Sequence, residues 1–177
     1  MRQRFSILPG SAVVALAAAT AALAGTYAAT ATVTGAAGLS LSLPAGPSLT
    51  DTLDGADQTA TYAPILGVID ARGSGAGWNI TVAATTFSDG SGHTLAPGTV
   101  SSVSAACHAA STCTTPTSSG ITYPLTISGT AAKFFNAATS TGLGKVDVTP
   151  SIDVLIPGNA FAGTYTSTVT IAAATGP

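Results

Sequence analysis

The sequence contains no glutamate, one tryptophan, two cysteines and few charges of either sign: Asp, Lys and Arg together make up 7% of its 177 residues. Without glutamate, acid–base chemistry would rest on seven aspartates and two histidines. Neither His-Glu-x-x-His nor Gly-x-Ser-x-Gly occurs, so an enzyme is not expected. No internal apolar run reaches the ~20 residues that a membrane-spanning helix needs, so no span is expected beyond the leader. Strong helix formers other than alanine are scarce, which argues against a helical bundle.

The shortage of positive charge is more specific. Beyond Arg2 and Arg4, the only cations are Arg72, Lys133 and Lys145, against seven aspartates, for a net charge of −4. Three scattered cations cannot form the basic face that a nucleic acid requires, which excludes that class of partner. Neither a metal nor a cofactor is expected. Asp51, Asp54 and Asp57 recur every three residues, without the alternation and terminal glutamate of a calcium loop, and read as a solvated turn region. Cys107, His108 and Cys113, with His93 elsewhere, lack a recognised zinc spacing. In an exported chain the two cysteines of "CHAASTC" read instead as a disulfide closing a small loop, worth about 2 kcal/mol on the chain-entropy model.

Export is signalled at the N-terminus. Arg2 and Arg4 precede an apolar stretch from Ala12 to Ala24, and small residues follow up to Ala31. The expected organisation is a signal peptide and short leader over 1–31, then a single secreted domain over 32–177, a length that supports one core.

Hydrophobic content is 46%, spread over short segments with period-two alternation. Leu39, Leu41 and Leu43 share one face of a segment; so do Trp78, Ile80 and Val82; Ile152, Val154 and Ile156; and Tyr165, Ser167, Val169 and Ile171. Further strands are expected over Ile65–Asp70, Thr99–Ser104, Ile121–Ile127 and Lys145–Thr149, between Gly, Pro, Asp and Asn turns. Eight to ten strands predict an all-β antiparallel sandwich. Ala131–Ala138 is the one stretch that could form a short helix, and Thr86–Gly120 is the least regular.

The segment "DARGSGAGWNITV" concentrates Gly73, Gly75 and Gly77 between Asp70, Arg72 and Trp78. Its Gly-x-Gly-x-Gly spacing is one residue short of a dinucleotide-binding loop, leads into a strand rather than a helix, and lacks the lysine of a phosphate loop. It reads as a turn or bulge in which Asp70 and Arg72 pair and the glycines re-aim the backbone. Trp78 alternates in phase with Ile80 and Val82, so exposing its ring for ligand stacking would expose both neighbours; the phase favours the core.

Two fragments carry a family resemblance. "GWNITV" and the C-terminal "GTYTSTVTIAAATGP" resemble the WxL domain of Gram-positive, here high-GC, surface proteins. The family hallmarks are a Trp-x-Leu and a distal Tyr-x-x-x-Leu-Thr-Trp-x-Leu close to a proline. Trp78-Asn79-Ile80 stands for the first, with Ile80 for Leu; Tyr165, Val169, Thr170 and Ile171 follow the second in order, with Ile171 replacing the second Trp. The resemblance implies a non-catalytic protein of the cell surface, held without a covalent bond to peptidoglycan or another wall glycan, with other surface proteins as further candidate partners. The motif residues and the aromatic rings of Trp78, Tyr165, Tyr62 and Tyr123 are then the candidate binding residues, since a ring can stack on a sugar face. The competing reading is a structural subunit of a surface layer or filament, assembling by strand addition along uncharged edges.

Overall fold

A computed structural model describes residues 30–35 and 38–177, and Val33–Pro177 form one compact unit. All but the last two positions of the expected leader lie outside the described residues. The described chain is all-β, with eleven strands and no helix. They are β1 (Leu39–Ser42), β2 (Gln58–Tyr62), β3 (Leu66–Asp70), β4 (Trp78–Ala84), β5 (Phe87–Ser88), β6 (Thr94–Leu95), β7 (Thr99–Cys107), β8 (Leu125–Thr126), β9 (Ala132–Ala137), β10 (Gly144–Ile156) and β11 (Val169–Thr175).

The strands build two antiparallel sheets and a small hairpin. One sheet runs β1-β3-β10-β7-β8, with β2 pairing the distal half of β10; the other runs β11-β4-β9; β5 and β6 pair with each other. The shared core is a sandwich core. Leu66 and Val68 of β3, Val146, Val148 and Ile152 of β10 and Val100 of β7 meet Trp78, Ile80 and Val82 of β4 and Phe134 and Phe135 of β9. Every second residue of β4 is buried, from Trp78 to Ala84, as its alternation demands. Burying each large apolar side chain of this set contributes about 1.5–3 kcal/mol.

Four expectations are corrected. Ala131–Ala138 is not a helix: β9 runs through it, paired to β4, and a register shift between Ile80 and Thr81 leaves both Phe134 and Phe135 buried. Such a bulge sends adjacent residues inward and erases the period-two signal. Lys145–Thr149 and Ile152–Ile156 fuse into the 13-residue β10. Pro150 is tolerated inside it because it lies where the partner changes from β3, which ends opposite Val148, to β2, which begins opposite Ile152, and next to a bulge at Ser151/Ile152. Ile121–Ile127 contributes only the two residues of β8, and the segment expected from Tyr165 becomes a strand only at Val169.

The two long strands fix two ends of the sandwich. Asp70 lies across from Gly144 at the start of β10, and Trp78 across from Thr175 of β11 and Ala137 of β9. Val154 and Ile156 close β10 at the other end, about 33–40 Å away at the rise of an extended strand.

Candidate functional site

The Asp70–Trp78 segment is a packed corner at the first end. Asp70 is 1% exposed, and its carboxylate accepts from Arg72 Nε at 2.8 Å and Nη2 at 2.8 Å, a two-pronged pair. The same guanidinium donates to the Gly77 carbonyl at 2.9 Å and to Thr175 Oγ1 at 2.6 Å, tying β3 to the ends of β4 and β11. The hydrogen bond from Arg72 holds the Asp70 carboxyl below its ordinary range despite burial. Gly73, Gly75 and Gly77 all have positive φ. At Gly77 a Cβ would also lie 2.5 Å from the Ala137 carbonyl oxygen, so only glycine fits. Trp78 is 0% exposed, its ring lies 5.8 Å from that of Phe135, and its Nε1 donates to the Gly142 carbonyl at 2.9 Å. Ile80 is equally buried, while Ile171 packs against the core from β11. Val169 and Thr170, the other β11 motif positions, are exposed. No ring of the Trp78 motif faces solvent.

Cys107 and Cys113 form a disulfide, with Cα atoms 5.4 Å apart. The adjacent His108 bonds Asp147 through Nδ1 at 2.9 Å, whereas His93 is paired with Asp89, so the two histidines serve separate contacts. The three aspartates of the turn region each accept a backbone amide: Asp51 from Thr52, Asp54 from Ala56 and Asp57 from Gly158.

The remaining ring candidates divide. Tyr123 donates to the Phe134 carbonyl on the outer edge of β9, where Asn136 also bonds Ser119, and burial raises its phenol pKa. Tyr62 and Tyr165 instead come together at the far end of the sandwich, in a cleft of about 700 Å³. Tyr62 of β2, Val154 and Ile156 of β10, Phe87 and Leu95 of the β5–β6 hairpin and residues 160–167 all line it. The segment 47–53, which includes Thr50, Asp51 and Thr52, also lines it. Burial raises the Tyr62 phenol pKa. The volume of the cleft is that of a small-molecule subsite, and its lining mixes apolar side chains with eight hydroxyl-bearing ones and the carboxylate of Asp51.

A second hollow of about 220 Å³ adjoins it, sharing Leu95, Ala160, Phe161 and Tyr165 with the first. Phe161 is 63% exposed, yet it is fixed: His93 stacks on it with centroids 3.9 Å apart, and Tyr165 donates to its carbonyl at 2.9 Å. His93 is held in turn by Asp89, whose Oδ2 lies 2.6 Å from Nδ1. That bond and the Ser91 amide keep the Asp89 carboxyl below its ordinary range. Reciprocal amide bonds between Ser88 and Thr166 pin the hairpin to this loop. Sequence reasoning missed Phe87, His93 and Phe161 as site residues; their signal was aromatic residues in irregular segments, where periodicity is silent.

The model of the family described as WxL domain, surface cell wall-binding, matches residues 16–170, which takes in Trp78-Asn79-Ile80 and stops just before Ile171. No curated protein and no solved structure matches the chain. A match over most of the sequence, on an all-β sandwich with the Trp-x-Leu position at its core, places it: the chain belongs to the WxL family of surface, cell wall-binding domains.

Proposed function

We propose that the protein is a secreted, non-catalytic module that associates with the cell wall by non-covalent binding to peptidoglycan, through the cleft that contains Tyr62 and Tyr165. One observation carries the placement: these two rings line the same open cleft, whereas Trp78 is sealed in the core at the opposite end. Stacking on a sugar needs an accessible ring, and Tyr62 and Tyr165 are only half-buried where they line the cleft. The family motif is then the frame that holds the sandwich together.

A second reading, self-assembly by strand addition, has one observation in its favour. β11 ends its sheet with seven residues that include neither charge nor proline, while β9 at the other edge is covered by Tyr123 and the Ser119–Asn136 pair. Pelleting the protein with purified sacculi, beside a measurement of its size alone, separates the two. Co-pelleting of a monomer is expected; a polymer that ignores the sacculi would establish strand addition instead.

A further inference from the structure

We infer that the connection between β7 and β8 is a site of covalent O-glycosylation, on the threonines of Thr112-Cys113-Thr114-Thr115-Pro116-Thr117, with an activated glycosyl phosphate as donor. This rests on the reading that the protein is secreted and is independent of what the cleft binds.

The connection spans residues 108–124, beyond the ~12–15 residues at which a loop without secondary structure becomes uncommon unless it is functional or disordered. Its backbone is tied down. The disulfide holds it at Cys113, the Thr114 amide donates to the Leu143 carbonyl at 2.9 Å, and the Thr114 and Thr117 carbonyls accept from the Gly142 and Ala138 amides at 2.8 and 2.9 Å. Between Ser111 and Gly120 only Cys113 and Pro116 lack a hydroxyl. A stretch rich in Ser and Thr around a proline is the composition of O-glycosylated segments, and it has few apolar side chains to give to the core.

The hydroxyls themselves are uncommitted. Thr112, Thr114, Thr115 and Thr117 are exposed, and none of their hydroxyls has a hydrogen-bond partner among the described residues, whereas Ser118 donates to Asn136. In the strands and the loop before β11 the pattern differs: Thr61 donates to Asp153, Ser101 to the Ser151 carbonyl and Ser167 to the Thr85 carbonyl. Substituting a hydroxyl that serves the fold breaks a bond; substituting these four breaks none. Their position is also permissive. The loop is bonded to the 138–143 turn, whose Gly142 carbonyl receives Trp78 Nε1, so sugars here stand at the Trp78 end and leave the cleft open.

The reaction is a substitution at the anomeric carbon of the donor. A threonine Oγ1 forms the bond to C1 as the bond from C1 to the phosphate oxygen breaks. The phosphate leaves with the electron pair, the hydroxyl proton passes to a base of the transferase, and no oxidant or reductant is consumed.

The test takes the protein exported by its own host, reduces it and cleaves after Arg72 and Lys133, which isolates Gly73–Lys133 with the whole loop inside. Mass spectrometry is expected to find this fragment heavier than its sequence by whole sugar residues, with fragmentation placing them within Thr112–Thr117. Replacing Thr112, Thr114, Thr115 and Thr117 by valine should remove the added mass at an unchanged melting temperature, and the parent fragment decides the matter even if that variant fails to fold. An exported protein whose fragment has its sequence mass, or carries sugar only on other residues, would overturn this inference and leave secretion standing. Accumulation of the protein inside the cell would overturn both.

Discussion

Trp78 is the residue that the family name invites one to treat as a ligand contact, and its surroundings argue otherwise. The ring is fully buried and its one polar atom is already bonded to Gly142. Trp78→Ala is therefore expected to lower stability by roughly 3–5 kcal/mol in urea unfolding, while the fraction still folded binds sacculi normally. Asp70 makes a second residue-scale prediction. Its carboxyl is held below the ordinary range in the fold, so the ionised form is the stabilised one. The sign follows: that stability is fully present above the unfolded carboxylate range near about pH 4, and is lost as the pH falls through the depressed native value. In Arg72→Met the depression is gone, so the variant should be less stable at neutral pH and should lose less stability on acidification than the parent; an equally steep acid limb would show that the pair does not set it. At this scale the sequence was informative. The phase of Trp78, Ile80 and Val82 put the ring inward, and the proximity of Asp70 to Arg72 suggested the pair, because both signals are local.

Among the elements, β4 and the start of β3 were legible from alternation, and β9 was not. A bulge opposite Ile80 and Thr81 turns two consecutive phenylalanines inward, and the flanking alanines imitate a helix. β10 was read as two strands because Pro150 interrupts its pattern, and only the switch of partner from β3 to β2 makes that proline harmless. Such facts belong to pairing between distant segments and leave no local trace. The Cys107–Cys113 loop was legible because its two ends are six residues apart. Replacing both cysteines with alanine should cost about 2 kcal/mol of stability without altering wall binding, measured by unfolding and pelleting together. The Asp70–Gly77 corner offers a sharper test. Gly77→Ala forces a Cβ against the Ala137 carbonyl at a positive φ, and should destabilise the protein clearly more than Gly90→Ala, where φ is also positive but the space is open.

For the whole molecule, the candidate site was the part least visible in the sequence. Tyr62 and Tyr165 were named as rings, but their meeting with Phe87, Leu95 and Phe161 joins segments from four places in the chain, and no spacing rule connects them. Sandwich topology makes the juxtaposition: β2 and the distal half of β10 bring Tyr62 to the end where the loop before β11 carries Phe161 and Tyr165. The same topology puts Trp78 at the other end. With no cation in the cleft, wall binding should change little between about 0.1 M and 1 M salt, since screening removes only charge-driven affinity. The most direct measurement is the equilibrium affinity for sacculi of the parent, Tyr165→Ala and Trp78→Phe proteins, each at a temperature where it is fully folded. A binding site in the cleft requires Tyr165→Ala to lose roughly tenfold in affinity and Trp78→Phe to bind like the parent. Unchanged binding by Tyr165→Ala, or a selective loss in folded Trp78→Phe, would contradict it.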